Sequence, residues 1–389
     1  MPAMTGTVHD WFTHSASTPS TARAQVNQYL DIYTATVRDC AHTHLGETVS
    51  VCVSGSLARG EPAVRHRVGA FTLASDVDLI AVVDQPADIH AGVQKFALSV
   101  VERHPDIDTT VFIVGRSRLH RVAGRFGADL HHAAVRPLSG AALTGVAAPR
   151  IGKREGLEGI THQLATIYCP DSPPGASPWR TKTVLEALRA VAARGDKGPQ
   201  HYSDLPDDPA VCELLDRDTV SALVAAREHD QRLLIPTERA YKLVVASACA
   251  LFGVPAGHRE LIAALHTCRR RAHLLDGFQH AVLAATIILY GPPEFRCSAA
   301  AALHVIADAI DPETLTTAHG ALESLMRISP VEFDRGIDHP NQVLRQHVQA
   351  LRRDYYGWLG PHNFGAHPVA DYHGPTVVTP STLRRPAHG

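Results

Sequence analysis

The apolar run Leu79-Ile80-Ala81-Val82-Val83 opens on Asp76-Val77-Asp78, and no other junction constrains the chain as much. The run reads as a strand. Side chains alternate along a strand with a period of two, so Asp76 and Asp78 point the same way and lie close together. Two like charges so placed repel, and a cation between them would relieve that cost.

Two further segments carry the same kind of signal. Gly55-Ser56-Leu57-Ala58-Arg59-Gly60-Glu61 follows the strand-like Val49-Ser50-Val51-Cys52-Val53, and Asp106-Ile107-Asp108 leads into Thr109-Thr110-Val111-Phe112-Ile113-Val114. Glycine lets backbone approach a ligand closely, serine adds a hydroxyl donor, and carboxylates are what magnesium prefers. A glycine-serine turn, a paired carboxylate and a third acid together compose a site for magnesium and a nucleoside triphosphate.

The surrounding pattern is that of an α/β unit. Val26, Tyr29, Leu30, Tyr33, Val37 and Ala41 recur at helical spacing, and Gly46 ends that helix. Strands follow over 49–53, from 76 or 77 to 83, and over 107–114. Between the last two, Asp88 is placed to cap a helix whose core face is Ile89, Val93, Phe96, Ala97 and Val100. A helix over 120–132 and an edge strand over 133–138, demoted by Pro137, complete this half.

Past Gly152 the strand signals vanish. Residues 169–175 read as a linker, and Ser177-Pro178 opens a helix that buries Val184, Leu185, Leu188 and Val191. Further helices are expected over 216–232, 237–252, 258–273, 277–290, 297–309 and 313–328. A last one carries Leu344, Val348, Leu351, Tyr355 and Trp358. The expected fold is therefore α+β: a small mixed-sheet domain over 1–152, with 1–20 as a loose leader, then an all-helical domain over 153–360 and an irregular tail over 361–389.

Composition narrows the function classes. At 389 residues the chain is long enough for two cores. A net charge of -2 supplies no basic field for nucleic acid or anionic membrane, and Arg269-Arg270-Arg271 reads as a solvated helix end. Seven dispersed cysteines without C-x-x-C spacing argue against a disulfide framework or a zinc site and for a reducing compartment. Residues 1–20 lack the basic start and apolar core of a signal peptide, and the longest apolar stretch, 281–290, is too short to span a bilayer. A cytoplasmic protein without a membrane partner is expected.

The segment Gly55 to Glu61, followed by Ser75-Asp76-Val77-Asp78-Leu79, resembles the signature of the DNA polymerase β-like nucleotidyltransferase superfamily. Its minimal members carry G-S-x-x-x-G-E, then S-D-h-D-h, then a third acid on a later strand. The resemblance covers roughly residues 49–114. It implies that Asp76 and Asp78 hold two magnesium ions, that Asp108 joins them at the acceptor side, and that Gly55 and Ser56 hold the β- and γ-phosphates. Arg59 is placed near phosphate by the same motif. The gap from Leu57 to Ser75 is longer than the family's usual one, which a longer loop or hairpin accommodates.

The function implied is magnesium-dependent transfer of a nucleoside monophosphate, AMP in the first instance, from the triphosphate co-substrate to a hydroxyl of a small molecule such as an antibiotic or natural product. Two alternatives stay open: a toxin-like nucleotidyltransferase modifying tRNA or protein, and a non-catalytic nucleotide-binding module. In the helical half, Lys242 with Arg239, or Lys182 with Arg180, are candidates to hold triphosphate. Against that, Glu238 and Lys242 are spaced as an ordinary surface ion pair. Asp106 competes with Asp108 for the third-acid role. Asp84 reads as a solvated turn, and His131-His132 as a chance pair among 25 histidines.

Overall fold

In the computed structural model of the protein, the residues described are 10–84, 86–121, 124–133, 137–146, 152–166, 179–193, 201–231, 235–267 and 274–309. The chain is mixed α+β and divides into two compact units. The described residues of the first lie within 10–146 and at Glu228–Gln231; those of the second lie within 152–227 and 235–309.

The first unit is built on a three-stranded mixed sheet. Helix α1 (Ser20–His44) precedes β1 (Ser50–Ser54), and a four-residue helix α2 (Gly55–Ala58) turns the chain out of that strand. A two-stranded hairpin, β2 (Val64–Arg67) and β3 (Ala70–Leu73), fills the long segment before β4 (Val77–Val83). Helix α3 (Pro86–Arg103) then returns the chain to β5 (Thr109–Gly115). The strand order is β1-β4-β5, with β4 antiparallel to β1 and parallel to β5. A parallel pair needs a crossover of this length, and α3 supplies it.

The central strand explains its own composition. Val77, Leu79, Ala81 and Val83 face α1 and α3, packed with Leu30, Tyr33, Val37, Phe96 and Val100. Ile80 and Val82 face the other way, against Leu130 of α4 (Gly124–Ala133) and Leu119 and Leu143. Each such Val, Leu, Ile or Phe side chain, fully buried, contributes about 1.5–3 kcal/mol. Helix α1 ends as expected, with Gly46 at φ +75 and its N–H on the carbonyl of Ala41 at 3.2 Å.

Several expectations are revised. Residues 10–19, read as part of a loose leader, pack onto the unit instead: Trp11 and Phe12 are buried, and Gly60 lies so close to Thr13 that a Cβ there would sit 1.9 Å from its hydroxyl. The apolar area that these two aromatic side chains bury offsets part of the entropy of ordering that stretch. Helix α3 starts at Pro86, two residues before the aspartate expected to cap it. The described end of the expected edge strand, Pro137-Leu138, makes no strand: Leu138 and Ser139 meet Val51 through a single antiparallel bridge. The 133–138 expectation otherwise falls largely on residues outside those described.

The second unit, over its described residues, is helical: α5 (Lys153–Thr166), α6 (Trp179–Ala192), α7 (Pro209–Cys212), α8 (Arg217–Glu228), α9 (Thr237–Phe252), α10 (His258–His266), α11 (Leu274–Tyr290) and α12 (Pro293–Ala309). Helix α6 lies between two cores. Ala187 and Ala190 join one with α5 and α9 to α12, while Val184, Leu185 and Leu188 join another with α7 and α8. Gly253, at φ +71, closes α9 in the left-handed conformation that favours glycine. The expected linker at 169–175, the Ser177 cap, the helices over 313–328 and 344–358 and the tail from 361 lie outside the described residues. Among the described residues, no helix is long and apolar enough to cross a membrane.

Candidate functional site

Strand register brings the three aspartates to one end of one sheet face. Ser54 pairs with Asp78 across β1 and β4, and Val77 pairs with Thr109 across β4 and β5. The residue before each of the latter two is an acid, so Asp76 and Asp108 stand side by side, tied by a 2.8 Å bond from the Val77 N–H to the Asp108 carbonyl. Asp76 and Asp78 share the face of Ile80 and Val82, which α4 covers farther along. Toward the strand start that cover is lost: Asp78 is half-buried, Asp76 and Asp108 exposed. Partial desolvation and then the neighbouring Asp76 charge hold the Asp108 carboxyl above the usual carboxylate range.

The glycine-serine turn meets this end of the sheet. Gly55 adopts φ +67, and a Cβ added there would lie 2.6 Å from Asp78 Oδ2. Both facts call for glycine: the left-handed backbone disfavours a side chain, and the carboxylate fills the space one would occupy. Next to it, Ser56 Oγ is buried with no hydrogen-bond partner. A buried hydroxyl left unmatched costs about 1–3 kcal/mol, and an acceptor oxygen on a ligand would satisfy it. Ser75, just ahead of the acid pair, accepts the Ala63 N–H at 2.8 Å and so closes the stem of the hairpin.

Arg59 has a different environment from the one its motif position suggests. Its Nε donates to Glu61 Oε1 at 2.7 Å and its Nη1 to Asp129 Oδ2 at 2.8 Å. Asp129, on α4 and 5% exposed, also accepts the Gly55 N–H at 3.0 Å and the Ser54 hydroxyl at 3.4 Å. The Gly55 N–H is therefore directed at a side chain of this chain, and what Gly55 offers a ligand is close approach. Sequence reading missed Asp129. The signal available was an acid wedged between Ala128 and Leu130, both buried.

The competing candidates separate clearly. Asp106 accepts the Tyr29 hydroxyl at 2.5 Å, a contact to α1, whereas Asp108 is the acid beside Asp76. Asp84, at the far end of β4, pairs with Arg116 at 2.8 Å. His131 directs Nδ1 to the Val146 carbonyl at 3.3 Å. Cys52, on β1 beneath the site, is buried, and burial pushes its thiol up to about 12. Lys242 belongs to the second unit, where its ammonium is 2.6 Å from Glu238 on the exposed face of α9; Arg239 is 3.7 Å from Asp216 and Lys182 is exposed. The Arg180 side chain lies outside those described.

Among the described residues, no three His, Cys, Asp or Glu side chains stand close enough together to grip a metal ion as they are placed. The acids are aligned on one face at one strand end, with a buried, unmatched hydroxyl in the adjoining turn. That donor set is hard oxygen, suited to magnesium, which takes one or two carboxylates and fills its remaining positions with water and phosphate. No protein-family model, curated protein or solved structure matches the chain.

Proposed function

We propose that the first unit is a magnesium-dependent nucleotidyltransferase that moves a nucleoside monophosphate, AMP in the first instance, from a triphosphate to a hydroxyl of a small molecule. The observation that carries this reading is the contact of Asp78 with Gly55: the small-residue turn and the acid pair, 20-odd residues apart in sequence, meet at one place. Ser56, with its unmatched hydroxyl, would donate to a phosphate oxygen. Asp76 and Asp78 would hold the magnesium ions and Asp108 would complete their ligand set on the acceptor side. When bound, the ions supply neutralisation of the triphosphate and of the departing pyrophosphate. The acceptor oxygen forms a bond to the α-phosphorus, the bond from the α-phosphorus to the oxygen bridging it to the β-phosphate breaks so that this oxygen leaves with pyrophosphate, and the hydroxyl proton passes to solvent water.

Local charge supports a need for cations. Asp78, Asp129 and Glu61 at the turn are negative against the guanidinium of Arg59, so the protein by itself repels a triphosphate there. The test is incubation with magnesium and α-labelled triphosphates, offering small metabolites, RNA and protein as acceptors. Label on a small molecule and release of pyrophosphate are expected. Asp76→Asn and Asp78→Asn should each reduce transfer more than about 100-fold, the loss of several kcal/mol of charge stabilisation. Either variant keeping wild-type activity sinks the assignment. Label on RNA or protein selects the toxin-like alternative, and nucleotide binding without turnover the non-catalytic one.

A further inference from the structure

We infer that Asp129 is a positioning residue for triphosphate binding, and that Arg59 acts on the glycine-serine turn rather than on the phosphates. This rests on the nucleotidyltransferase reading for the identity of the ligand. The geometry itself is independent of it. One carboxylate oxygen, Asp129 Oδ2, collects the Gly55 N–H, the Ser54 hydroxyl and Arg59 Nη1 at 3.0, 3.4 and 2.8 Å. Arg59 is held in turn by Glu61, 1% exposed, whose own N–H donates to the Ser56 carbonyl at 2.9 Å. The network thus grips the turn at Ser54, Gly55 and Ser56 in succession and leaves the Ser56 hydroxyl unmatched.

Charge decides how Arg59 is used. Two buried carboxylates share its one guanidinium, so little of its positive field is left to attract phosphate. Swinging the whole guanidinium out toward a phosphate would leave Asp129 buried with one charged partner fewer. The arginine of the motif is better described as the clamp of a loop whose backbone must keep φ +67 at Gly55. Asp129 comes from α4, 74 residues away in sequence from Gly55, so docking of that helix and readiness of the turn are coupled.

The assay is direct binding of a fluorescent ATP analogue with magnesium, read beside thermal melting. Asp129→Asn keeps an acceptor oxygen for the Gly55 N–H, the Ser54 hydroxyl and Arg59 Nη1 but removes the charge that strengthens all three bonds. It should weaken binding about tenfold, the worth of one charge-assisted hydrogen bond, and raise KM for the triphosphate while leaving kcat within about threefold. Arg59→Lys, which keeps the charge but loses the fork, should weaken binding by a similar factor or less. Unchanged affinity in Asp129→Asn, with or without a lower melting temperature, overturns the inference. Should that variant fail to fold, unchanged affinity in both Arg59→Lys and Ser54→Ala overturns it equally. Wild-type protein that binds the analogue but transfers no label refutes the transfer reading alone. Wild-type protein that does not bind it refutes both.

Discussion

Replacing Gly55 by alanine separates the backbone's demand for glycine from the site's demand for it. Two costs arise at this position. A non-glycine residue held in the left-handed region costs about 1–2 kcal/mol, which for a unit of this size lowers the melting temperature by roughly 3–8 °C. The second cost falls on Asp78: the new Cβ would sit 2.6 Å from its Oδ2, and the carboxylate must retreat by about 1 Å to reach ordinary contact distance. A carboxylate at the end of a short side chain can rotate away cheaply, so stability suffers little from the clash. Function suffers more, because a misplacement of about 1 Å at a reacting centre is worth roughly 100-fold in rate. Gly46→Ala is the internal control: φ is +75 there and nothing lies within 4 Å of the added Cβ. Both variants should melt at similar temperatures, below wild type. Only Gly55→Ala should lose about 100-fold in label transfer. Equal activity in the two variants would refute the claim that Asp78 works from the position it holds against the turn, and an unshifted melting temperature in Gly55→Ala would refute the backbone argument.

Two further outcomes concern stability alone. Gly140, at φ +81, lies against the outer side of β1, where an added Cβ would come 2.3 Å from the Val49 carbonyl and 2.8 Å from Ser50 Cα; Gly140→Ala should therefore cost more than the 1–2 kcal/mol of Gly46→Ala, since backbone cannot step aside as a side chain can, and denaturant titration of the two side by side checks the order. In the second unit His258 stacks between Tyr241 and Phe295, with ring centroids 5.5 and 5.0 Å away. Burial holds its pKa below the ordinary value, outweighing the opposite pull of Glu294 and Glu260, while Lys242 adds to the lowering. The folded state then resists protonation that the unfolded chain accepts, so stability falls as pH drops through about 6.5. His258→Phe keeps the stack and should flatten the loss of melting temperature between pH 7.5 and 5.5; an identical slope in variant and wild type would refute it.

What could be read from the chain and what could not divide along the range of the forces involved. The strand period put Asp76 and Asp78 on one face because alternation is a local property, and the register of β4 with β5 then carried Asp108 beside them. The hairpin over 64–73 was foreseen only as an allowance for length, since Val64 to Arg67 and Ala70 to Leu73 are too short to announce themselves and their stem is closed by Ser75, a residue the motif explains otherwise. Arg59 shows the limit of motif reading. Its position beside a glycine-serine turn points to phosphate; the partners it has in the structure are Glu61, two residues on, and Asp129, seventy residues on. Only the first of those acids was within reach of a local pattern. A buried ion pair takes its geometry from the packing of whole elements, here α4 onto β1, and side chains that meet this way leave no periodicity behind. If Asp129 variants weaken nucleotide binding while leaving kcat, the turn is a prepared surface whose shape depends on α4, and its glycine and serine cannot be understood from their own neighbourhood in the chain.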